Sequence, residues 1–553
     1  MERPLRNPPV LILVAALALA VAGTLALTWG MTFFQDTWAF LINRREFTAD
    51  DILEPHSEHL VAFPALLEML LIRIFGMSNA LPEYVLLALF LATTAGLLFV
   101  YLRRRVGDWL ALFATLIVLT LGPAWEVLLW PFEITFIAPI LFGLAMLLAL
   151  ERGDRRGDLV ACVCLTLAVA SSGLGICFIA AAFVAILLGP RDRWLPRAYV
   201  FAVPLLLYGL WWLGWGRDAE SSITLHNVFA SPRFVADSLA WAMQSMLGLA
   251  PAPGSGPDVS WGRALLVGAV LLLVYRFSQA RPRPVIDPGL WPVATAALAN
   301  WFLTAFNAIP GRDPSSSRYQ YAGVIFVLMI LANLLKGVSP GRKALAALGV
   351  LTALVMGPNL VLLEKGEDVL EAQSILTQAD TAGLEIAARR VDPGFQLTLP
   401  VAGTPSLVNV YAGEYLEAIE EHGSPAYSEA ELLEAPEFAR RQVDILLSQA
   451  LPLSTEIRPG RLAGGTGECV EVPGGGEAVP EVPLSPGLNR IEIAPGPPAE
   501  LSLRRFATEE FPVPTNAPPG GSVVLLRVPR DASDQPWHLH VQAEQPARVC
   551  AAA

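Results

Sequence analysis

The sequence predicts a polytopic α-helical membrane protein of about eleven transmembrane helices, followed by a C-terminal extracytoplasmic α+β domain containing a small β-sandwich. Three observations carry this. Of 553 residues, 54% are hydrophobic and only 16% are charged, against about 25% charged in an ordinary soluble chain. The deficit is uneven: residues 9–362 form a series of apolar runs, whereas 363–553 have the texture of a soluble domain. Basic residues recur in alternate connections between the runs, the signature of loops held in the cytoplasm.

A bilayer crossing takes ~20 apolar residues. Spans are expected near 9–30, 82–102, 107–122, 134–151, 158–171, 175–189, 197–215, 262–278, 289–308, 319–336 and 344–362. The first has a basic flank but is longer than the apolar core of a signal peptide, and many more runs follow. With the N-terminus in the cytoplasm, the inner connections carry Arg103, Arg104 and Arg105, then Arg152, Arg155 and Arg156, then Arg191, Arg193 and Arg197. They continue with Arg276, Arg281 and Arg283 and end with Lys336, Arg342 and Lys343. The outer connections 123–133 and 171–175 carry none. This asymmetry places a multi-pass protein in the plasma membrane with its C-terminal domain outside the cytoplasm. Pro232–Ala250 is apolar but contains Arg233, Asp237 and Gln244. As a span it would invert every later loop, so we read it as a re-entrant or surface-lying amphipathic helix. His59–Gly76, with Glu68 and Arg73, reads as a helix along the outer surface.

The domain division falls between 1–362 and 363–553, the latter helical over 363–460 and β-rich over 461–553. Helical periodicity marks Leu370–Arg390 and Leu407–Glu421, and alternating stretches such as Asn489–Ile493 and Ser522–Val528 read as strands. The net charge of -12, concentrated in the acidic stretch from Glu364 to Glu437, excludes nucleic acid as a partner. Cys469 and Cys550 bracket the last part of the domain and can pair in an oxidising compartment. Trp537, His538 and His540 suit either a sugar-binding module or a core strand.

Polar residues gather in the outer connections. Asp36 stands where the first span ends, and the same loop continues to Asp50, Asp51, Glu54, His56, Glu58 and His59. A carboxylate at a bilayer edge loses solvation unless it has a partner or a task, and it can serve as a general base toward a hydroxyl. Asp50 and Asp51 read instead as helix caps or solvated charge. His56 and His59 with Glu54 and Glu58 are loosely compatible with a divalent metal, although no cofactor is expected. The second outer connection holds Trp125, Glu126, Trp130 and Glu133. Its tryptophans suit an interfacial belt, whereas its carboxylates sit on the same side as Asp36. The fifth holds Arg312, Arg318 and Tyr319. Arginine on the side where positive charge is avoided fits a grip on phosphate, with snorkelling to lipid headgroups as the plain alternative.

Together these features resemble the GT-C superfamily of membrane glycosyltransferases. The shared traits are a long first outer loop with an early acid, here Asp36, a surface helix in that loop, and about eleven spans. An outer soluble domain and the Ser317-Arg318-Tyr319 element complete the likeness, which covers roughly residues 1–362. The resemblance implies a polyprenyl-phosphate sugar as donor and a cell-envelope glycan, lipid or protein as acceptor. It implies inverting transfer, with Asp36 as base on the face opposite the leaving group. Glu58 or His59 would orient the acceptor, and Arg318 with Arg312 would hold the lipid phosphate. His56, Trp125, Glu126, Glu133 and Tyr319 complete the expected substrate-binding set. One departure stands out: Asp36 is followed by Thr37, where many members have a second acid, so Glu58, Glu126 and Glu133 compete for that role. The rival classes are a lipid-linked glycan flippase or transporter, which needs polar groups at mid-membrane, and a non-catalytic envelope scaffold.

Overall fold

The computed structural model describes residues 7–219, 222–279, 286–396, 410–460, 469–475, 481–513 and 517–551. Arg281, Arg283 and the first residues of the run Leu407–Glu421 lie outside the described residues. By contact the chain divides into two compact units. One comprises Met1–Met31, Asn43–Ile74 and Ala80–Glu371; the other comprises Thr32–Ile42, Phe75–Asn79 and Ala372–Ala553. The expected division after residue 362 falls inside the continuous helix Arg342–Ala387, so no linker composition marks the change of unit.

In the first unit every expected apolar run is helical. Among the described residues seven helices are long and apolar enough to cross a membrane, or eight if Asp108–Leu119 and Gly122–Leu129, bent by 50°, count as one broken span. Leu174–Leu187 and Leu290–Phe306 are shorter apolar helices, and Arg155–Val169 has 15 residues. At 1.5 Å per residue, 15 residues reach about 22 Å, short of the ~30 Å hydrocarbon layer. Several expected spans are therefore helices too short to cross alone. Capping fixes their ends. Asp154 accepts a hydrogen bond from the Gly157 amide at the start of Arg155–Val169, and Gly107, at φ +81°, ends Leu81–Val106 directly after Arg103, Arg104 and Arg105.

The expected inner connections meet at one end of these helices. Arg104 and Arg105 both bind Glu151 at 2.6 Å, Arg105 also reaches Asn333, and Arg197 binds Asp158 at 2.7 Å. Lys336 pairs with Asp287. Pro232–Ala250 lies largely in the helix Leu225–Met246, which packs against Ser260–Gln279, Leu290–Phe306 and Ser317–Leu334. Asp237 and Gln244 turn toward neighbouring protein, whereas Arg233 is exposed. Asp237 holds Arg263 at 2.7 Å, and the Gln244 side chain donates to the Asp258 carbonyl and accepts from the Gly262 amide. Hydropathy undercounts such a helix because its polar residues are satisfied by partners rather than by water.

The second unit contains the helices Ala412–His422, Glu429–Glu434 and Glu437–Ala450, then a β-rich part. Among the described residues its strands are β1 (Ser454–Pro459), β2 (Cys469–Val472), β3 (Val482–Leu484), β4 (Gly487–Ile493), β5 (Glu500–Arg504), β6 (Phe511–Pro512), β7 (Ser522–Val528), β8 (Trp537–Gln542) and β9 (Ala547–Ala551). They form antiparallel sheets of order β1-β7-β4-β9-β2 and β3-β8-β5-β6. Burial alternates along β4, β5 and β8, as in the two faces of a sandwich. Cys469 and Cys550 stand opposite each other on β2 and β9 and form the expected disulfide. Trp537 is 4% exposed, with its ring 5.8 Å from that of Phe511 and the Arg505 guanidinium above it. It is a core residue and not a sugar platform. Asp444 ties this part to the helices by accepting the amides of Arg505, Phe506 and Ala507 at 2.8–3.1 Å.

Candidate functional site

The loop before the helix Ala62–Phe75 is shaped by its own backbone. Thr48 caps the short helix Ala49–Leu53, whose first turn contains Asp50 and Asp51. Asp50 accepts from the Trp215 indole, and Asp51 accepts from the Glu46 amide, so neither serves the cluster described next. His56 and His59 then exchange two backbone hydrogen bonds at 3.0 and 3.1 Å around Ser57, whose φ is +52°. This tight turn presents Glu58 and His59 together. Arg312 donates to the Glu58 carboxylate at 2.7 Å, and the same oxygen is 3.6 Å from His59 Nε2. The His59 ring lies against Gly173, where a Cβ would stand 2.8 Å from Nδ1. The turn 171–175 thus owes its glycine to the imidazole it receives.

Burial holds the His59 imidazole below its ordinary value; Glu58 opposes this, while Arg312 and His56 add to it. The folded state therefore favours the neutral ring. Its contribution to stability is complete above the ordinary value of about 6.5 and is lost as pH falls through that region. We expect the thermal midpoint to be flat from pH 8 to 7 and to fall below about 6.5. A His59→Gln variant should lack that component; an identical decline in the variant would assign it to other groups.

A second cluster forms where the segment 122–133 meets the start of the helix Ser317–Leu334. The Glu126 amide donates to Ser317 Oγ at 3.1 Å, and the Arg318 amide donates to the Glu126 carboxylate at 3.1 Å. The Arg318 side-chain Nε lies 3.4 Å from Glu126 and 3.8 Å from the fully buried Glu133. Its guanidinium sits 5.7 Å from the centre of the Trp130 ring. Trp130 stacks on Phe132 at 5.2 Å, and Phe132 meets His56 edge-on at 5.2 Å. An aromatic row thereby joins the two ion-pair clusters. The Tyr319 phenol feels both, being within electrostatic reach of Arg318, Arg312, Glu133 and Glu58.

The structure brings together His56, Glu58, His59, Glu126, Glu133, Arg312, Arg318 and Tyr319 from connections far apart in sequence. Trp125 packs beside them against Gly366, where a Cβ would stand 2.3 Å from the Trp125 Cβ. Asp36 belongs to the second unit. It begins the helix Asp36–Asn43, whose Trp38 is fully buried with its ring 5.6 Å from Phe33 and 5.9 Å from Tyr415. Among the described residues no three His, Cys, Asp or Glu side chains converge as metal ligands. Sequence reasoning reads 171–175 as a tight turn and does not foresee that Gly173 receives the His59 ring.

No protein-family model and no curated protein matches the chain. Among solved structures it is similar to ArnT from Cupriavidus metallidurans bound to undecaprenyl phosphate. The identity there is 14% over 76% of this chain and 90% of that one, with a TM-score of 0.43. It is similar to the Archaeoglobus fulgidus oligosaccharyltransferase in the apo form at 14% identity, over 81% of this chain and 69% of that one, with a TM-score of 0.42. A third is the arabinosyltransferase EmbB from Mycobacterium smegmatis, at 12% identity over 97% of this chain and 64% of that one, with a TM-score of 0.40. At such values nothing about activity follows.

Proposed function

We propose that the protein is an integral membrane glycosyltransferase that moves a hexose or pentose from a polyprenyl-phosphate donor to a cell-envelope acceptor. The observation that supports this is the gathering of Arg312 and Arg318 with three carboxylates around Tyr319. It lies at the end of the apolar helices opposite to Arg105 and Asn333. With the arginine-rich end in the cytoplasm, this end faces outward, where a lipid-linked donor has its phosphate at headgroup depth.

Arg318 suits the phosphate. Its side-chain contacts with Glu126 and Glu133, at 3.4 and 3.8 Å, are long beside the ~2.7–2.9 Å of a close charged hydrogen bond. Phosphate oxygens at the closer distance would compete with these carboxylates for the guanidinium. Arg312, held at 2.7 Å by Glu58, is the supporting cation. In the reaction the acceptor oxygen bonds to the anomeric carbon from the face opposite the phosphate. The carbon–phosphate-oxygen bond breaks, its electron pair leaves on the phosphate, and the hydroxyl proton passes to a carboxylate base, the role that the sequence resemblance gives to Asp36. Arg318 offsets the charge that develops on the leaving oxygen, and Glu58 with neutral His59 orients the acceptor.

The test is transfer by the purified protein in bilayers, using radiolabelled polyprenyl-phosphate hexoses and pentoses with envelope acceptors. Wild type should transfer, and Asp36→Asn should lose ~10²–10⁴-fold in rate. Normal transfer by that variant removes Asp36 as base. Lipid translocation in vesicles without any transfer replaces the enzyme with a flippase.

A further inference from the structure

A cavity of about 230 Å³ is lined by Glu126 together with Trp125, Trp241, Ser245, Ser317, Gln320 and residues of the segment 250–257. We infer that this cavity seats one uncharged sugar ring of the acceptor, so that the acceptor is a carbohydrate. The inference rests on the reading of the Glu126–Arg318 end as the transfer site, and it adds the acceptor's chemical class.

The charge of the lining narrows the ligand first. Among the described residues that form it there is no lysine, arginine or histidine, and Glu126 supplies its ionisable group. Inside the cavity the lining offers an anion a carboxylate and no cation, so an anion seated there is disfavoured. A prenyl tail is disfavoured because it would cover the Glu126 carboxylate and the carbonyls of the segment 250–257 without offering them a donor. The volume is below the ~300–1,000 Å³ of drug-sized pockets and fits a single ring.

The polar groups then match hydroxyls. Gln320 is 2% exposed and rigidly held: its amide nitrogen donates to the carbonyls of Pro314 and Ser316, and its oxygen accepts from Ser245. Ser317 Oγ accepts from the Glu126 amide, which directs its own O–H elsewhere. Pro251, Pro253 and Pro257 lack amide hydrogens, so at three positions the segment 250–257 has a carbonyl acceptor and no N–H donor. Acceptors and a carboxylate receive hydroxyl protons, while the Trp125 and Trp241 rings offer apolar faces to the C–H side of a sugar. A ring seated here has a hydroxyl beside Glu126, whose carboxylate also meets Arg318. The acceptor is thereby held at the end of the site where the donor sugar binds.

The experiment is saturation-transfer NMR on the full chain in nanodiscs, with methyl glycosides of glucose, galactose, mannose and arabinose as probes. Undecaprenyl phosphate binding is measured in parallel. At least one glycoside should bind in the ~1–10 mM range. Trp241→Ala should weaken it about tenfold and raise the KM for acceptor in transfer, with undecaprenyl phosphate binding unchanged as evidence of folding. Gln320→Leu should act in the same direction through Ser245. If no glycoside binds at ~50 mM while undecaprenyl phosphate does, the sugar seat is wrong and the donor reading stands. Displacement of a bound glycoside by inorganic phosphate also overturns it. If neither probe binds and no transfer occurs, the donor reading falls and the seat falls with it.

Discussion

Replacing Arg318 with alanine should lower sugar transfer by ~10³-fold and destabilise the protein at the same time, through two separable causes. The first is chemical. One preorganised donor aimed at developing charge is worth ~10²–10³ in rate, and Arg318 carries a full charge as well as two N–H edges. The second is structural. Glu133 is 0% exposed and has the Arg318 guanidinium 3.8 Å away. Removing one partner of a buried ion pair costs about 3 kcal/mol, the low end of the usual range, because this approach is loose. Adding Glu133→Gln to Arg318→Ala should therefore recover most of the thermal midpoint while transfer stays lost. Arg318→Lys keeps the charge but not the fork, so it should fold normally and transfer at an intermediate rate. Wild-type transfer by Arg318→Ala would remove the phosphate role; loss of transfer that returns with Glu133→Gln would make Arg318 a structural residue.

The reason Arg318 was legible in the sequence is its position. Arginine in a connection where positive charge is otherwise avoided has to be explained, and Glu126 and Glu133 on the same side supply the counter-charge. The apolar runs were legible for a similar reason: the bilayer imposes one composition over ~20 residues, and each run is a helix. The disulfide was legible from two cysteines bracketing an alternating segment. What composition does not encode is how polar side chains find each other across the bundle. Gln244 and Asp237 lowered the hydropathy of Leu225–Met246, yet they bond Gly262, Asp258 and Arg263. The cavity at Glu126 depends on Ser245 meeting Gln320, 75 residues apart, and no local pattern announces that pairing. The division of the chain was hidden because it falls within a continuous helix, and because Thr32–Ile42, with Asp36, clusters with residues beyond 371.

A substitution that removes no charge should do comparable damage. Gly122→Ala is expected to lower transfer by ~10²-fold or more and to reduce stability by about 3 kcal/mol. Gly122 starts the segment that delivers Trp125, Glu126 and Glu133. A Cβ there would stand 2.0 Å from the Asn359 carbonyl oxygen, 2.6 Å from the Leu363 amide nitrogen and 2.7 Å from the Leu362 Cβ. Such contacts need at least 3.0 Å, so 3.0 minus 2.0 gives a forced displacement of about 1 Å. Two of the three opposing atoms are backbone of the helix Arg342–Ala387, which cannot rotate out of the way as a side chain would. Overpacking of this kind costs ~1–3 kcal/mol, and a rigid opponent puts it at the upper end. A 1 Å misplacement of a reacting constellation costs about 10²-fold in rate, and Glu126 is only four residues away. Gly96→Ala is the control. Its Cβ meets nothing within 4 Å in the middle of Leu81–Val106, and alanine is the better helix former, so its midpoint should equal or exceed wild type. Thermal midpoints and transfer rates of the two variants decide the matter. Equal behaviour of both would mean that the segment 122–133 yields freely, and that the close approach of the Arg342–Ala387 helix does not set the geometry at Glu126.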